Sequence, residues 1–166
     1  MKQVLFTLII AVVVFVSCES KKSLTATGSG SILDSANILT EREEDSLFFL
    51  IQELSNHTGP QVAIVTIDTL RGEKMEDYSL RTAEKMRIGR KTFDDGILIT
   101  VAVKNKQMRI EVGRGLEKII KDEVANKIII FDIAPRFKTG DFFGGLRIAV
   151  VKMTTLIEND KKLIGN

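Results

Sequence analysis

Scarcity sets the first limits. The chain of 166 residues holds one cysteine, one histidine and no tryptophan. A single cysteine excludes an intramolecular disulfide. Its 24 basic and 22 acidic residues leave a formal net charge of only +2. That balance gives no electrostatic case for nucleic acid, and no nucleic-acid partner is expected. A Ser–His–Asp triad would have to use His57, and no Gly-x-Ser-x-Gly elbow accompanies it. The glycine pair at residues 28–30 (GSG) lacks the Gly-Lys-Ser/Thr of a phosphate loop, and the D-x-D-x-D-G spacing of an EF-hand is absent. No internal repeat is visible. What remains, 44% hydrophobic and 28% charged residues, is the composition of one globular domain with an appendage.

The appendage is at the front. MKQVLFTLIIAVVVFVSC has a basic start at Lys2, an apolar run from Val4 to Val16, then Ser17 and Cys18. The run is too short for a comfortable transmembrane helix and has the anatomy of a secretory signal. A cysteine directly after a small residue fits a bacterial lipoprotein signal, residues 1–17, with Cys18 acylated as the first mature residue. The alternative is a retained signal anchor with Cys18 a bystander. With Cys18 lipidated, no Cys–His nucleophile pair exists. Residues 18–31 are polar and rich in Ser, Thr and Gly, which reads as a tether. The expected location is the bacterial cell envelope, with the domain facing the periplasm or exterior and held to the membrane by its N-terminal lipid.

The folded part is expected over residues 32–160. Thr40 with Glu43 makes a capping box for a helix over 40–56 that Gly59 stops. Leu47, Leu50, Ile51 and Leu54 share one face. QVAIVTI, 61–67, is a strand with both faces covered. A second helix spans 75–88, with Met75, Tyr78, Ala83 and Met86 inward. GILITVAV, 96–103, is the most buried strand. After the KNKQ turn, MRIEV alternates as its hairpin partner. Residues 117–134 read as helical, ending near Pro135. A last helix covers 141–159, N-capped by Asp141, with Leu146, Ala149, Val150, Met153 and Leu156 inward. Strand–helix–strand predicts a right-handed parallel crossover and the hairpin adds an antiparallel strand. The fold class is α/β: a three-layer α/β/α sandwich with a small mixed sheet.

The hairpin has a chemical consequence. Asp94-Asp95-Gly96 opens the central strand, and EVGRGLE, 111–117, returns to the same edge. Asp94, Asp95, Glu111 and Glu117 should therefore converge beside Gly113 and Gly115. Carboxylates gathered so closely repel unless a positive charge sits among them. A divalent cation would serve, Ca²⁺ in preference to Mg²⁺, and Arg114 and Lys118 are another source of positive charge. Asp34 could join from the first loop, whereas Asp68 belongs at the opposite end. The bland alternative is turn chemistry at Asp-Gly and a glycine-permitted bend. RIGRK, 87–91, is a basic turn, read either as a solvated helix end or as a contact for phosphate or acidic lipid.

LDSANILTEREEDSL, TGPQVAIVTIDTLRGEKMEDYS, RIGRKTFDDGILITVAVKNKQMRIEVGRGLEKIIKDEVANKII and APRFKTGDFFGGL, in that order, resemble the TPM-domain family over roughly residues 32–157. The resemblance implies an α/β/α sandwich, divalent-cation binding and, for some members, acid phosphatase activity. It implies acidic site positions at Asp34, Asp94, Asp95, Glu111 and Glu117. Many relatives carry Asn in place of Asp94, and many end in a transmembrane helix or a glycine-rich tail that this chain lacks, which leaves Cys18 as its anchor. The expected role is a monomeric accessory domain that docks on a membrane-protein partner during assembly or maintenance. A metal-dependent phosphatase is the second possibility.

Overall fold

The computed structural model describes residues 31–164. The order is strand β1 (Ser31–Asp34), helix α1 (Glu41–Thr58), β2 (Gln61–Ile67), α2 (Met75–Met86), β3 (Gly96–Ala102), β4 (Gln107–Val112), α3 (Asp122–Lys127), a π-helical segment (Ile128–Ile133), α4 (Ala134–Lys138) and α5 (Phe142–Ile164). The strands lie side by side as β1-β2-β3-β4. The first three are parallel and β4 is antiparallel. This is the mixed sheet of an α/β/α sandwich.

Pleating divides the sheet's side chains between two helical layers. Val62, Ile64, Ile97, Ile99, Val101 and Ile110 join one core cluster with α1, α5 and the π-helical segment. Leu33, Ala63, Val65 and Leu98 face the other way, against Met86 of α2. Every residue of β3 is buried, which fits its continuous apolar run. Burial of each large aliphatic side chain is worth about 1.5–3 kcal/mol, enough to outweigh local propensity in placing this strand. The two polar exceptions at the centre are satisfied: Thr100 shares a 3.1 Å hydrogen bond with Ser79 of α2, and Thr66 donates to Asp34.

Local signals set the helix ends. Thr40 and Glu43 form the capping box of α1, and Gly59 closes it at φ 97°. Arg87, in the left-handed conformation, closes α2 after Met86, two residues earlier than the pattern suggests. Asp141 caps α5 through a 2.9 Å bond from the Gly144 N–H, and Phe142 packs edge-on against Phe137 at 4.9 Å.

Two expectations are corrected. Ser31–Asp34 is a strand, not a loop. Four residues are too few to show a period, and only pairing with β2 reveals them. The helical stretch also does not end near Pro135. It changes to π winding at Ile128 and resumes as α4 with Pro135 in its first turn. The Ala134 N–H reaches back five residues to Ile129. A proline early in the new segment then removes no required donor.

Candidate functional site

Parallel strands start at a common end. Gln61 opposes Gly96, and Val112 of β4 returns opposite Ile97. The loop before β3 and the turn after β4 therefore meet. Gly113 N–H donates to the Gly96 carbonyl at 2.7 Å and Gly115 N–H to the Asp94 carbonyl at 2.9 Å. A Cβ on Gly113 would strike the Asp94 carbonyl, and one on Gly115 the Phe93 carbonyl. Backbone approach this close requires glycine. Asp94 itself sits at φ 49°, a left-handed conformation that Asp tolerates better than most residues.

The expected convergence is present for three carboxylates. Asp94, Glu111 and Glu117 line one open cleft of about 490 Å³ together with Arg87 and Arg114. Asp94 accepts from Arg114 Nε at 2.7 Å. Glu111 accepts from Arg109 Nε at 2.6 Å. These hydrogen bonds, and the carboxylate charges behind them, raise the pKa of both guanidinium groups. Glu117 lies exposed on the rim. The positive charge among the acids is arginine. Among the described residues no group of three or more His, Cys, Asp or Glu is arranged to hold a metal ion.

Asp95 does a different job. It is 4% exposed and turns away from the cleft onto Arg90. It accepts from the Arg90 backbone N–H at 2.8 Å and from its Nε at 2.7 Å. Arg90 also stacks over Phe93 at 4.1 Å. One aspartate thus fixes the whole 90–95 loop. In the sequence RIGRK shows only its charge; the five-residue spacing from Arg90 to Asp95 is the signal that was there to be read.

Asp34 is not part of this cleft. It opposes Thr66, which opposes Val101. That places it at the far end of the sheet, roughly 20 Å from Asp95 at about 3.3 Å per residue. There it accepts from the Leu39 N–H at 2.8 Å and from the Thr66 hydroxyl, holding the turn that leads into α1. A ligand set joining Asp34 to Asp94 is therefore excluded. Asp68 lies at that far end too, as expected, paired with Lys104 at 2.8 Å. His57 occupies the last turn of α1. Cys18 lies outside the described residues.

Fold and cleft together define a small α/β/α domain with a charged, glycine-walled cleft at one end of its sheet. A model of the TPM domain family (TPM_phosphatase) matches residues 32–156, and the chain belongs to that family. Its fold is similar to the solution structure of the N-terminal domain of a P. gingivalis protein, with 22% identity, TM-score 0.74, and 81% of this chain and 86% of that one covered. It is also similar to the BA42 protein of the psychrophilic bacterium Bizionia argentinensis, with 21% identity, TM-score 0.64, and 73% and 82% covered. A third similar fold is the N-terminal domain of a Corynebacterium glutamicum protein, with 10% identity, TM-score 0.60, and 80% and 82% covered. No match is found among curated proteins. Among the described residues no helix is long and apolar enough to cross a membrane.

Proposed function

We propose that this chain is a lipid-anchored, extracytoplasmic accessory domain that binds a divalent cation, Ca²⁺ before Mg²⁺, and docks on a membrane protein to assist its assembly or maintenance. The observation that supports the cation reading is that Asp94, Glu111 and Glu117 line one cleft; they are not drawn together as a ligand set there, so an ion would have to gather them. Arg114 stands in the cleft as a displaceable counter-charge. Its side chain is 86% exposed and its partner Asp94 is 47% exposed. A pair that exposed contributes little, so a weakly bound ion can exchange for it. An extracytoplasmic calcium site need only reach about 10⁻⁴–10⁻³ M. Asp95 supports the site through the Arg90 loop and is not itself a ligand.

The docking reading is supported by large apolar side chains left in water. Phe48 and Phe49 stand edge-to-face on α1, and Ile130 and Phe131 project from the π-helical segment. Unusual π winding frequently accompanies functional surfaces. The anchor reading rests on the Val4–Val16 run and Cys18.

The test is an NMR titration of residues 24–166 with calcium, then magnesium. Saturable shifts confined to Asp94–Gly96 and Glu111–Glu117 are expected. No shift at millimolar cation would overturn the ion site and leave the accessory role to the apolar surface. The family's phosphatase name favours a second reading, with the ion and Arg114 holding a phosphoryl group. It requires phosphate release that Glu117→Gln lowers without unfolding the chain.

A further inference from the structure

β4 leaves one edge of the sheet open. It is the last strand, and no described strand lies beyond it. Gly113 and Gly96 form a hydrogen-bonded pair through the 2.7 Å bond from the Gly113 N–H. In an antiparallel ladder such pairs alternate with unbonded ones. Glu111 and Arg109 therefore bond to Leu98 and Thr100, and the N–H and C=O groups of Met108, Ile110 and Val112 point away from β3. The register runs from Gln107 to Val112 without a bulge. The strand, QMRIEV, holds no proline and no lysine. It thus lacks the bulge, proline and lysine that ordinarily keep an edge from pairing with a further strand.

The edge runs between two walls. Glu76 of α2 on one side and Asp122 and Ile129 on the other border a groove of about 150 Å³ over Met108, Arg109 and Ile110. The cleft of about 490 Å³ described above follows on along Glu111, Val112 and Gly113, walled by Leu80 and Glu84 of α2. Leu80 is 53% exposed. Six carboxylates and three arginines line this path. Arg109 and Arg114 are held by Glu111 and Asp94. That leaves Glu76, Glu84, Glu117 and Asp122 against Arg87. Lys118 and Lys121 adjoin Glu117 and Asp122 in sequence but line neither groove. The bond from Arg109 to Glu111 raises the Arg109 pKa, and the charges of Glu76 and Asp122 on the two walls add to it. The path is acidic, with an unpaired strand edge along it.

We propose that β4 is a docking edge: an extended segment of a partner protein, alternating basic and apolar residues, adds to the sheet as a further strand. Main-chain bonds give such a contact its affinity and alternate side chains its specificity. The segment runs antiparallel to β4, the more stable of the two ladders. Directly opposed residues then share a face of the sheet. The partner residues that bond to Met108, Ile110 and Val112 are therefore its apolar ones, lying beside Ile110 and Ile129. Its basic residues project to the α2 side, toward Glu76 and Glu84. The recess favours a single strand, which needs only about 4.8 Å, one ladder spacing. A second copy of this chain would bring its own helical layers against the same walls. The proposal goes beyond the apolar docking surface named above and needs neither the ion nor the lipid anchor.

The test is NMR on the isotope-labelled full chain with a capped peptide, Thr-Lys-Val-Lys-Ile-Lys-Thr. Divalent cations are left out, so the outcome does not depend on the ion site. At saturating peptide, amide exchange at Met108, Ile110 and Val112 should slow by about tenfold or more. The same peptide with Glu for each Lys should not bind. N-methylation at its Val and Ile removes the donors aimed at β4 and keeps the charge, and should weaken binding about tenfold. N-methylation at the middle Lys, whose donor faces away, should be tolerated. Glu76→Lys combined with Glu84→Lys, both at exposed positions, should weaken binding by about the same factor and leave the urea midpoint in place. Equal binding by the two methylated peptides would reduce the contact to charge attraction and overturn the added strand. Peptide shifts at Phe48, Phe49 and Phe131 without protection along β4 would overturn the edge and return docking to the apolar helical surface. Protection that grows with protein concentration alone would give the edge to a second copy, and also overturns the proposal.

Discussion

At the cleft end of the sheet, loops meet backbone to backbone. Gly113 and Gly115 press on the Asp94 and Phe93 carbonyls, and Gly89 presses on Gly96. At the far end the connections are open, and a Cβ on Gly72 would meet nothing within 4 Å. The aspartates differ in the same sense. Asp95 holds a charged partner that folds a loop over it. Asp34 holds a backbone N–H and a hydroxyl, both neutral. One end is a closely packed platform where aspartates and arginines pair. The other is a rim of open turns. Rigidity is therefore concentrated where ligand contact is proposed, as expected for sites that must be preorganised.

Five substitutions would break or sharpen that contrast. The largest effect is expected from Asp95→Ala. It strands a half-buried guanidinium and a backbone donor, and should lower unfolding free energy by about 3 kcal/mol in a urea titration. It should also free Phe93 from its stack. Next is Gly115→Ala, which drives a methyl into the Phe93 carbonyl and should cost about 2–3 kcal/mol. Gly72→Ala at the open end should cost only about 1 kcal/mol, from its left-handed φ alone. Equal costs at the two positions would erase the distinction. Asp34→Ala leaves the Leu39 N–H and the Thr66 hydroxyl without their acceptor and should cost about 2 kcal/mol, with no effect on calcium-induced shifts at Asp94. A lost calcium response in that variant would reconnect the two ends. Smallest in stability is Arg114→Ala, an exposed pair whose removal should leave the urea midpoint unchanged. Its signature should be tighter calcium binding, as the counter-charge leaves the cleft. Weaker binding would mean that Arg114 helps to build the site.

Much of this architecture is legible in the residues. Thr40 and Glu43, Gly59, the apolar run of β3 and the alternation of Met108, Ile110 and Val112 each announce their element through local chemistry. The meeting of Asp94 with Glu111 and Glu117 follows from one hairpin, which is a short-range inference. The failures share a cause. The place of Asp34 is not legible because β1 is four residues long and has no pattern of its own. The π winding at Ile128–Ile133 shows no period in an apolar run such as IIIFDI. Ser79 and Thr82 of α2 are buried where only apolar residues were expected inward, and Ser79 finds its partner in Thr100 on a strand 21 residues away.

By itself, then, the sequence determined which of the longer segments are helices and strands, where most of them stop, and which loop gathers acids and glycines. Those are decisions of caps, periods and turn residues within a few positions of one another. Only the tertiary structure decided how the charges are used. Asp95 became a loop clamp, Asp94 and Glu111 partners of arginine, and Asp34 a turn anchor at the opposite end, because each carboxylate takes whichever donor the packed sheet brings within about 3 Å. Strand order also decided that β1 starts at the cleft end, since parallel pairing of β1 with β2 is a long-range choice made by burial of Leu33 against Ala63 and Val65.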